Sequence, residues 1–434
     1  MGDDTGEGPQ TPSRSLWARI KASPLAHLGP GLITGVADDD PSGIATYSQA
    51  GAQFGLNMLW TMPLAYPLMS AVQSMCGQIG RVTGRGLAAN IRTAFPAWVL
   101  RIVVLLLVVA NTLNIGADVA AMGEAGELVT GVDRRLMACA FVAVTLGLQV
   151  LVPYHRYVQY LKWLTLSLLA YVAVLFTVHV PWREVALRTV LPRFQMDGAA
   201  AAVIVGVFGT TISPYLFFWQ ASEEVEDLQR APAGKSLLED PALAPSELRR
   251  IRWDTWSGML YSDASAFCII LATAVTLNAA GVRDIETAAQ AALALKPIAG
   301  PFAFLLFTLG LLGVGLIGVP VLAGSAAYGV AEAMGWRFGL ERRVREAVGF
   351  YGVIIASTLV GLAIQFLPVN PMKALFWSAV INGVVAVPLV GVIVVLACKP
   401  SVMGPHVASR SLAVLGGITV AVMAAAAVRM LWPG

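Results

Sequence analysis

Long apolar runs alternate with short polar segments along almost the whole of this 434-residue chain. About 20 apolar residues in a helix suffice to cross the ~30 Å hydrocarbon core of a bilayer. Runs of that length predict eleven transmembrane helices, at about 28–55, 58–80, 98–122, 134–153, 157–180, 198–222, 257–280, 299–330, 346–367, 372–398 and 410–432. The pattern therefore predicts an all-α polytopic membrane protein.

The first run contains three consecutive aspartates, Asp38 to Asp40, near its middle. Each carboxylate costs ~2.5–3.5 kcal/mol at the centre of a bilayer, and buried charges persist only when they are paired or coordinated. Pro41 cannot donate to the helix ladder, and the Ser42-Gly43 pair that follows allows the chain to unwind. We therefore predict two half-helices that meet at an acidic break, where the carbonyl end of the first half, about residues 28–39, favours a cation.

The alternative is that the aspartates end a short segment at the water interface. Leu28 to Ala37 are too few to cross a membrane on their own, and Ile44 to Phe54 continue without the polar loop that an interface supplies. These lengths favour the break within the membrane.

The sixth run has a similar interruption. Val203 to Gly209 form an apolar helix, Thr210 to Tyr215 introduce hydroxyls and Pro214, and Leu216 to Trp219 resume the apolar pattern. Two broken helices five apart predict an inverted repeat of helices 1–5 and 6–10, with helix 11 as an addition. Repeats of this kind place the substrate at the midplane, between the two unwound stretches.

This repeat defines the expected domain organisation. Residues 1–27 are polar and lack an apolar core, so we expect a cytoplasmic N-terminal arm without a signal peptide. Residues 28–434 form one transmembrane transporter domain, with repeat one at 28–180, repeat two at 198–398 and the extra helix at 410–432. Most of the 29 Lys and Arg fall in segments that this topology places inside. We therefore expect a multi-pass protein of a bacterial-type cytoplasmic membrane, with the N-terminus in the cytoplasm and the C-terminus outside.

Composition excludes several classes of protein. Hydrophobic residues make up 57% of the chain and charged residues 13%, against about 25% charged residues in soluble domains. The net charge is +3 and the basic residues are scattered, which argues against nucleic acid as a partner. The chain shows no nucleophile elbow, phosphate loop or His/Glu metal motif, which argues against a membrane enzyme or sensor, and we expect no cofactor.

Several polar residues have two interpretations. The run from Ser222 to Asp227 opens a loop that extends to about Trp256, and its acids form either a cation-concentrating funnel or a solvated helix end, the second being favoured. Asp118 and Asp263 are lone acids within helices, and each either lines the pathway or satisfies a neighbouring helix. Asn382 either faces the pore or bonds to another helix.

Three segments carry a resemblance to a known family. Gly29-Pro-Gly-Leu, the Asp-Pro break and Ser48 to Ala52 together resemble the first helix of the Nramp metal transporters. Gly209 to Pro214 resemble their sixth helix, and Leu305 to Gly315 resemble their eighth. The resemblance covers essentially the whole spanning region, and it implies a LeuT-type inverted-repeat fold with helices 1 and 6 broken at the midplane.

The chain departs from the family pattern at the expected ligands. Gly43 stands where the family has a ligand asparagine after Asp40, and Ser213 and Tyr215 replace the methionine and histidine around the sixth-helix proline. Thr210 stands where a residue lends its backbone carbonyl to the metal. This combination resembles the branch known as Nramp-related magnesium transporters.

The substitutions predict a preference for hard cations. Hydroxyl, carboxylate and carbonyl oxygens suit Mg²⁺ and Ca²⁺, whereas a thioether suits transition metals. We expect a partly hydrated Mg²⁺, held by Asp40 and hydroxyls, as the substrate of a monomer that works by alternating access across the lipid bilayer. Asp38 and Asp39 are about 100° apart around a helix, so at most one of them joins Asp40. The candidate metal residues are Asp40, Gly43, Thr210, Ser213, Asp39 and Tyr215.

Other transporter functions compete with magnesium uptake. A proton-coupled Mn²⁺/Fe²⁺ transporter of the ordinary Nramp type shares the fold but has methionine and histidine where Ser213 and Tyr215 stand. An organic-substrate transporter of the same fold, for example one for amino acids, is expected to have a Gly-rich break instead of three aspartates.

The resemblance also bears on proton coupling. Asp118 matches one acid of the family's proton network, but Asn111 and Ala121 stand where two glutamates are expected. Tyr215 and Gln220 stand where histidines are expected. We therefore expect weak or absent proton coupling, the alternative being a short relay from Asp118 to Asp38 or Asp39.

Overall fold

The computed structural model describes residues 30–152, 168–193, 197–230 and 234–432, and the regular structure in these ranges is helical throughout. The α-helices are α1 Pro30–Asp38, α2 Pro41–Phe54, α3 Thr61–Thr83, α4 Leu87–Ala94, α5 Ala97–Thr130, α6 Arg134–Leu151, α7 Leu169–Val174, α8 Trp182–Val190, α9 Gly198–Thr211, α10 Pro214–Arg230, α11 Ala244–Thr273, α12 Ala288–Ala292, α13 Lys296–Ala299, α14 Ala303–Met334, α15 Val348–Ile364, α16 Pro371–Cys398, α17 Pro400–Met403 and α18 Arg410–Leu431. A π-helical turn, Ala274–Asn278, extends α11.

Most of the apolar runs predicted from the sequence coincide with long helices, whereas the first and sixth runs are each divided between two shorter helices. Within the described ranges, seven helical stretches are long and apolar enough to cross a membrane, and the apolar α15 is slightly shorter. The N-terminal arm, 1–27, lies outside the described residues. Residues 157–167 of the fifth predicted run, 157–180, also lie outside them. The prediction of an all-α polytopic membrane protein is confirmed.

The first helix is broken where the aspartates predict it. α1 ends at Asp38 and α2 begins at Pro41, so that Asp39 and Asp40 leave the helix. Asp40 is extended, with φ −70° and ψ 173°, and its carboxylate accepts a hydrogen bond from the Gly43 backbone N–H. Aspartate is a preferred N-cap, and proline at the first helical position loses no hydrogen bond. The same residues that end α1 therefore also start α2.

The second break is narrower than the sequence indicates. α9 continues to Thr211 and α10 begins at Pro214, so that only Ile212 and Ser213 leave the helix, whereas the interruption predicted from the sequence begins at residue 210. The Ser213 hydroxyl lies 2.6 Å from the Gly209 carbonyl oxygen and 2.7 Å from that of Thr210. A serine that bonds to carbonyls at the end of a helix satisfies acceptors that would otherwise lack a partner, and this keeps the last turn of α9 helical.

The acidic run after the second break is not a solvated helix end. α10 continues through it to its last residue at position 230, and Glu223, Glu224 and Glu226 are buried. Arg250 lies in α11, not in a loop, and donates to Glu224 over 2.5 Å, while Tyr328 donates to Glu226. The favoured interpretation from the sequence is therefore wrong, because partners on α11 and α14 cover these carboxylates.

Glycines bring the broken helices into backbone contact with their neighbours. A Cβ on Gly35 of α1 would lie 2.2 Å from the Gly258 carbonyl oxygen of α11, and one on Gly209 of α9 would lie 2.0 Å from the Ala379 carbonyl oxygen of α16. Small residues at helix interfaces allow such close approach within membranes. α1 is thereby fixed on α11 and α9 on α16, and these contacts set the positions of both breaks.

Candidate metal centre

Asp40 is an enclosed carboxylate of the first break, with 1% of its surface exposed. Its Oδ1 accepts from the Ser42 hydroxyl over 2.6 Å and from the Gly43 N–H over 2.8 Å. Its Oδ2 accepts from the Asn114 amide over 2.9 Å and lies 3.4 Å from the Tyr215 hydroxyl. All four donors are neutral, so they orient the carboxylate without cancelling its charge.

Two distant helices contact this carboxylate, and a third orients one of the side chains that do so. Asn114 comes from α5 and Tyr215 from α10, and the Tyr215 hydroxyl also lies 3.1 Å from the Ala37 carbonyl oxygen at the end of α1. Ser378 on α16 donates to Asn114 Oδ1 over 2.7 Å, which leaves the amide nitrogen facing Asp40. The charge of the first break is therefore positioned by the rest of the bundle as well as by its own helix.

Sequence reasoning missed Asn114 and Ser378. Asn111, Asn114 and Asp118 are all buried on α5 at helical spacing of three and four residues. Polar residues recurring on one face of an apolar helix indicate a shared interior face. That periodicity is visible in the sequence, and it indicates that Asn114 shares an interior face of α5 with Asp118.

Asp118 is a second carboxylate beside Asp40. It is fully buried, and it lies near enough to Asp40 for the two to interact electrostatically and near enough to the Ser42 backbone of α2 to interact with its N–H. Both interpretations of Asp118, a lining of the pathway and satisfaction by a neighbouring helix, therefore stay open.

The two breaks face one another across Gly43 and Thr210. A Cβ on Gly43 would lie 3.1 Å from the Thr210 hydroxyl and 3.3 Å from Cε2 of Tyr47. The Thr210 hydroxyl is buried and has no partner in the part of the chain that the structure describes, while the Ser213 hydroxyl is turned to its own helix. Asp40, Gly43, Thr210 and Tyr215 thus lie around one space, and Ser213 adjoins it through the Thr210 carbonyl.

Asp38 and Asp39 face a different helix from Asp40. The Ser262 hydroxyl on α11 donates to Asp38 Oδ2 and lies 3.1 Å from Asp39 Oδ1. The hydrogen-bond partners of Asp40 lie on α2, α5 and α10 instead. The structure therefore brings Asp39 together with Asp38, and Asp263 lies close enough to both for electrostatic interaction.

The interior of the bundle collects acidic charge that no basic side chain balances. Within the described ranges none of these acids forms an ion pair with Lys, Arg or His, and each is at most 8% exposed: Asp38, Asp39, Asp40, Asp118 and Asp263. Intramembrane acids of this kind mark ion pathways. No three His, Cys, Asp or Glu side chains among the described residues come together closely enough to hold a bare metal ion.

Neutral side chains fill the positions where the resemblance implies proton carriers. The Asn111 amide donates to the Leu322 carbonyl oxygen over 2.9 Å, and Gln220 Oε1 accepts from the Thr34 hydroxyl over 2.7 Å. Ala121 is buried. Neither polar atom of the Asn382 side chain has a partner within the described ranges, so the interhelical bond considered for it is not found there.

Comparison with known proteins assigns the chain to a family. The family model described as natural resistance-associated macrophage protein-like, Nramp, matches residues 31–433. The divalent metal cation transporter MntH of Acidiphilium cryptum is 26% identical over 407 residues, covering 86% of this chain and 89% of the relative. MntH of Verminephrobacter eiseniae is 28% identical over 399 residues, covering 88% and 83%.

Solved structures share the fold at low identity. The manganese transporter of Eremococcus coleocola, in complex with an aromatic bis-isothiourea substituted compound, superposes with a TM-score of 0.74 at 19% identity over 98% of this chain and 88% of that one. MhsT in complex with L-phenylalanine superposes with a TM-score of 0.63 at 13% identity over 94% and 99%. These likenesses confirm the predicted LeuT-type fold. The chain belongs to the Nramp family, and it is a multi-pass membrane transporter, not an enzyme.

Proposed function

We propose that the chain carries a divalent metal cation across the membrane by exposing a site between its two breaks to each side in turn. The observation that carries this proposal is Asp40, a carboxylate that is 1% exposed, surrounded by neutral donors and without an ion pair among the described residues. A buried carboxylate arranged in this way lacks a cation, and the substrate supplies it. The relatives are named divalent metal cation transporters, which supports the same substrate class.

Within that class we propose Mg²⁺ as the substrate, taken up as a partly hydrated ion. The groups around the space are the Asp40 carboxylate, the hydroxyls of Thr210 and Tyr215, and backbone carbonyls, all of them hard oxygen donors. Gly43 adds no side chain to the space, and the described acids do not cluster tightly enough to strip an ion of its water. Mg²⁺ gives up water reluctantly, so such a site suits it. Ser213 and the other hydroxyls act on the ion through water.

Mn²⁺ is the second candidate. The solved structure with a TM-score of 0.74 is a manganese transporter, and carboxylate, carbonyl and water ligands also suit Mn²⁺. Divalent metals bind a given oxygen site in an order that places Mn²⁺ at the weak end of the transition series. Discrimination between the two ions therefore depends on how much water the site lets the ion keep.

Transport without obligatory proton movement is part of the proposal. Asn111, Ala121 and Gln220 supply no titratable group, and Asn111 and Gln220 are engaged in hydrogen bonds to other helices. The membrane potential then drives uptake, at ~2.3 kcal/mol per charge per 100 mV and about twice that for a divalent ion. The proposal places the chain in the cytoplasmic membrane as a monomer, with its N-terminus inside and its C-terminus outside.

Flux into liposomes tests the function. The purified chain should carry Mg²⁺ and, more weakly, Mn²⁺ into liposomes with an inside-negative potential. Asp40→Asn should lose the flux of both ions. Asp133→Asn is a matched control, because Asp133 is an exposed N-cap of α6 and asparagine caps a helix equally well. Wild-type flux in Asp40→Asn would reject the site, and absence of flux of both ions in the unmodified chain would reject the function.

A further inference from the structure

We propose that a basic groove at the beginning of α11 binds the headgroup of an anionic phospholipid. The groove lies between α3, the first turns of α11 and the segment that leads into α18, and we call it the headgroup groove. Its polar lining consists of Gln78, Arg249, Arg252, His406 and Ser409. Headgroup binding is independent of which ion the chain transports, so it goes beyond the proposed function.

Three arginines in the first turns of α11 differ in what they contact. Arg250 forms ion pairs with Glu224 over 2.5 Å and with Glu247 over 3.0 Å. Arg249 and Arg252 are exposed and form no ion pair among the described residues. They are three residues apart and therefore share one face of the helix, the face that lines the groove. Two guanidinium groups without a carboxylate suit a phosphate, whose oxygens match the planar fork of arginine.

Two further polar groups of the groove lack a partner. The Gln78 side chain on α3 is 7% exposed and forms no hydrogen bond with the described residues. His406 Nε2 is buried and is also without a partner within those ranges. Buried polar groups are normally hydrogen-bonded, and an amide N–H₂ and an imidazole N–H both donate to phosphate oxygens. A phosphate in the groove therefore satisfies both groups.

The segment that carries His406 is held in place at its far end. The Ala408 N–H donates to the Ala397 carbonyl oxygen of α16 over 2.8 Å, which ties the segment to that helix. Ser409 then caps α18, and its hydroxyl accepts from the Leu412 N–H over 3.4 Å. The positive end of the α18 dipole therefore lies at the groove, and it adds to the attraction for a phosphate.

The groove lies at the level of the lipid headgroups. The apolar run of α11 begins at about residue 257, so Arg252 and Arg249 precede it by about 8 and 12 Å at 1.5 Å per residue. The headgroup region extends ~5–8 Å beyond the hydrocarbon core on each side. Trp253, which follows Arg252, is 72% exposed, and tryptophans of membrane proteins are enriched at this level. Arg252 therefore lies among the headgroups, and Arg249 reaches them with its long side chain.

The apolar part of the lining favours a lipid over a free anion. Leu248, Val407 and Leu412 line the groove beside the arginines, and its volume is about 270 Å³. Pockets that enclose drug-sized ligands measure ~300–1,000 Å³, so this groove accommodates a headgroup and not a larger cofactor. An apolar wall contributes nothing to the binding of a free phosphate, whereas it contacts the glycerol and first methylenes of a lipid. Basic pockets between transmembrane helices bind lipid headgroups in the same way.

Native mass spectrometry of the purified full-length chain in detergent tests the groove. The chain is titrated, without divalent metal, with phosphatidylglycerol or with phosphatidylcholine, whose headgroup has no net charge. The unmodified chain should retain one phosphatidylglycerol more tightly than any phosphatidylcholine. Arg249→Gln with Arg252→Gln should weaken phosphatidylglycerol binding at least about tenfold, because a hydrogen bond to a charged group contributes that factor or more.

A second pair of arginines supplies the matched control. Arg343 and Arg345 lie between α14 and α15, on the same side of the membrane in the proposed topology. Both are exposed, form no ion pair among the described residues and do not line the headgroup groove. Arg343→Gln with Arg345→Gln removes the same charge and should leave phosphatidylglycerol binding unchanged. An equal loss in the two double variants would show that net charge alone attracts the lipid and would reject the groove.

Two single variants keep the proposal falsifiable if the groove double variant fails to fold. Gln78→Ala and His406→Ala retain both arginines, and each should weaken phosphatidylglycerol binding severalfold. Unchanged binding in both, or equal binding of the two lipids to the unmodified chain, would reject the groove. Inorganic phosphate should displace the lipid no better than sodium chloride of equal ionic strength, and better displacement would identify a site for a free anion instead. Flux without a retained phosphatidylglycerol refutes headgroup binding alone, whereas a retained lipid without any flux refutes the proposed function alone.

Discussion

The Asn114 side chain on α5 donates its amide to Asp40 Oδ2 in the first break over 2.9 Å, although the two residues are 74 positions apart. Ser378 donates to the other end of the same amide over 2.7 Å. An amide fixed at its oxygen presents its N–H₂ group in a fixed direction. The bond therefore places the carboxylate of the first break relative to α5 and α16.

Replacing Asn114 should weaken the apparent affinity for the metal. A hydrogen bond to a charged group contributes about 1.5–3 kcal/mol, and every 1.4 kcal/mol is tenfold in affinity. Asn114→Ala should therefore raise the half-saturating Mg²⁺ concentration at least roughly tenfold. Ser378→Ala should have a smaller effect, because it frees the amide without removing it. Initial flux rates measured against Mg²⁺ concentration give both values, and an equal or larger effect of Ser378→Ala would contradict this role of Asn114.

A thioether at position 213 should shift selectivity toward soft ions. Ser213→Met replaces a hydroxyl that bonds to the carbonyls of Gly209 and Thr210 with a soft donor beside the space. Binding of Cd²⁺ or Mn²⁺ should strengthen relative to Mg²⁺, because thioethers prefer softer metals. Calorimetry with each ion on Ser213→Met and on its control Ser213→Ala separates the added sulfur from the lost hydroxyl. An unchanged ratio of affinities between these two variants would refute the argument from ligand type.

Gly43→Asn should shift selectivity toward Mn²⁺ less than Ser213→Met does. A Cβ on Gly43 would already lie 3.1 Å from the Thr210 hydroxyl and 3.3 Å from the Tyr47 ring. Both neighbours must therefore move before an amide can reach the ion. Ser213→Met with Gly43→Asn should exceed Ser213→Met alone in its preference for Mn²⁺ only if the space widens, and Gly43→Ala measures the cost of the widening.

Metal entry should proceed without acidification of the interior. Liposomes that contain a pH-sensitive dye and carry an inside-negative potential should take up Mg²⁺ without a change of internal pH. The reason is that Asn111 and Gln220, which stand where proton carriers are expected, are neutral and engaged by Leu322 and Thr34. Acidification that scales with uptake, and that disappears in Asp118→Asn, would show that Asp118 starts a proton relay and would overturn the claim.

The buried pair of Glu224 and Arg250 should contribute strongly to stability. The Glu224 side chain is 0% exposed and lies 2.5 Å from Arg250, whose side chain is 33% exposed. Removing one partner of a buried pair costs about 3–5 kcal/mol, and the partial exposure of Arg250 places Glu224→Ala at the lower end. Glu224→Leu with Arg250→Met should recover most of the loss, because it leaves no unpaired charge.

The pair of Glu286 and Lys373 is the matched control for that prediction. Its atoms are 3.3 Å apart, but both side chains are about half exposed, at 56% and 53%. An exposed pair contributes about 0–1 kcal/mol, so Glu286→Ala should barely change the melting temperature. Thermal unfolding in detergent compares the variants, and equal losses for Glu224→Ala and Glu286→Ala would show that burial of the first pair has no energetic consequence.

The break of the first helix could be predicted from the sequence because its causes are local. An aspartate at position 40 caps the helix that Pro41 begins, and both effects act within a few residues. The position of the second break could be predicted from the sequence, but its width could not. Whether a serine after a helix opens the chain or closes the last turn depends on its rotamer, and Ser213 closes it.

Only the tertiary structure decided which acids belong together. Asp38, Asp39 and Asp40 are consecutive, yet the first two are directed to Ser262 on α11 and the third to Asn114 on α5. Their partners lie 74 to 224 positions away along the chain. The burial of Glu224 has the same origin, since Arg250 comes from the next helix. The sequence determined where charge enters the membrane, because a run of apolar residues with three aspartates is a local pattern. Helix packing determined what each charge faces, because a carboxylate's partner depends on which helix lies against it.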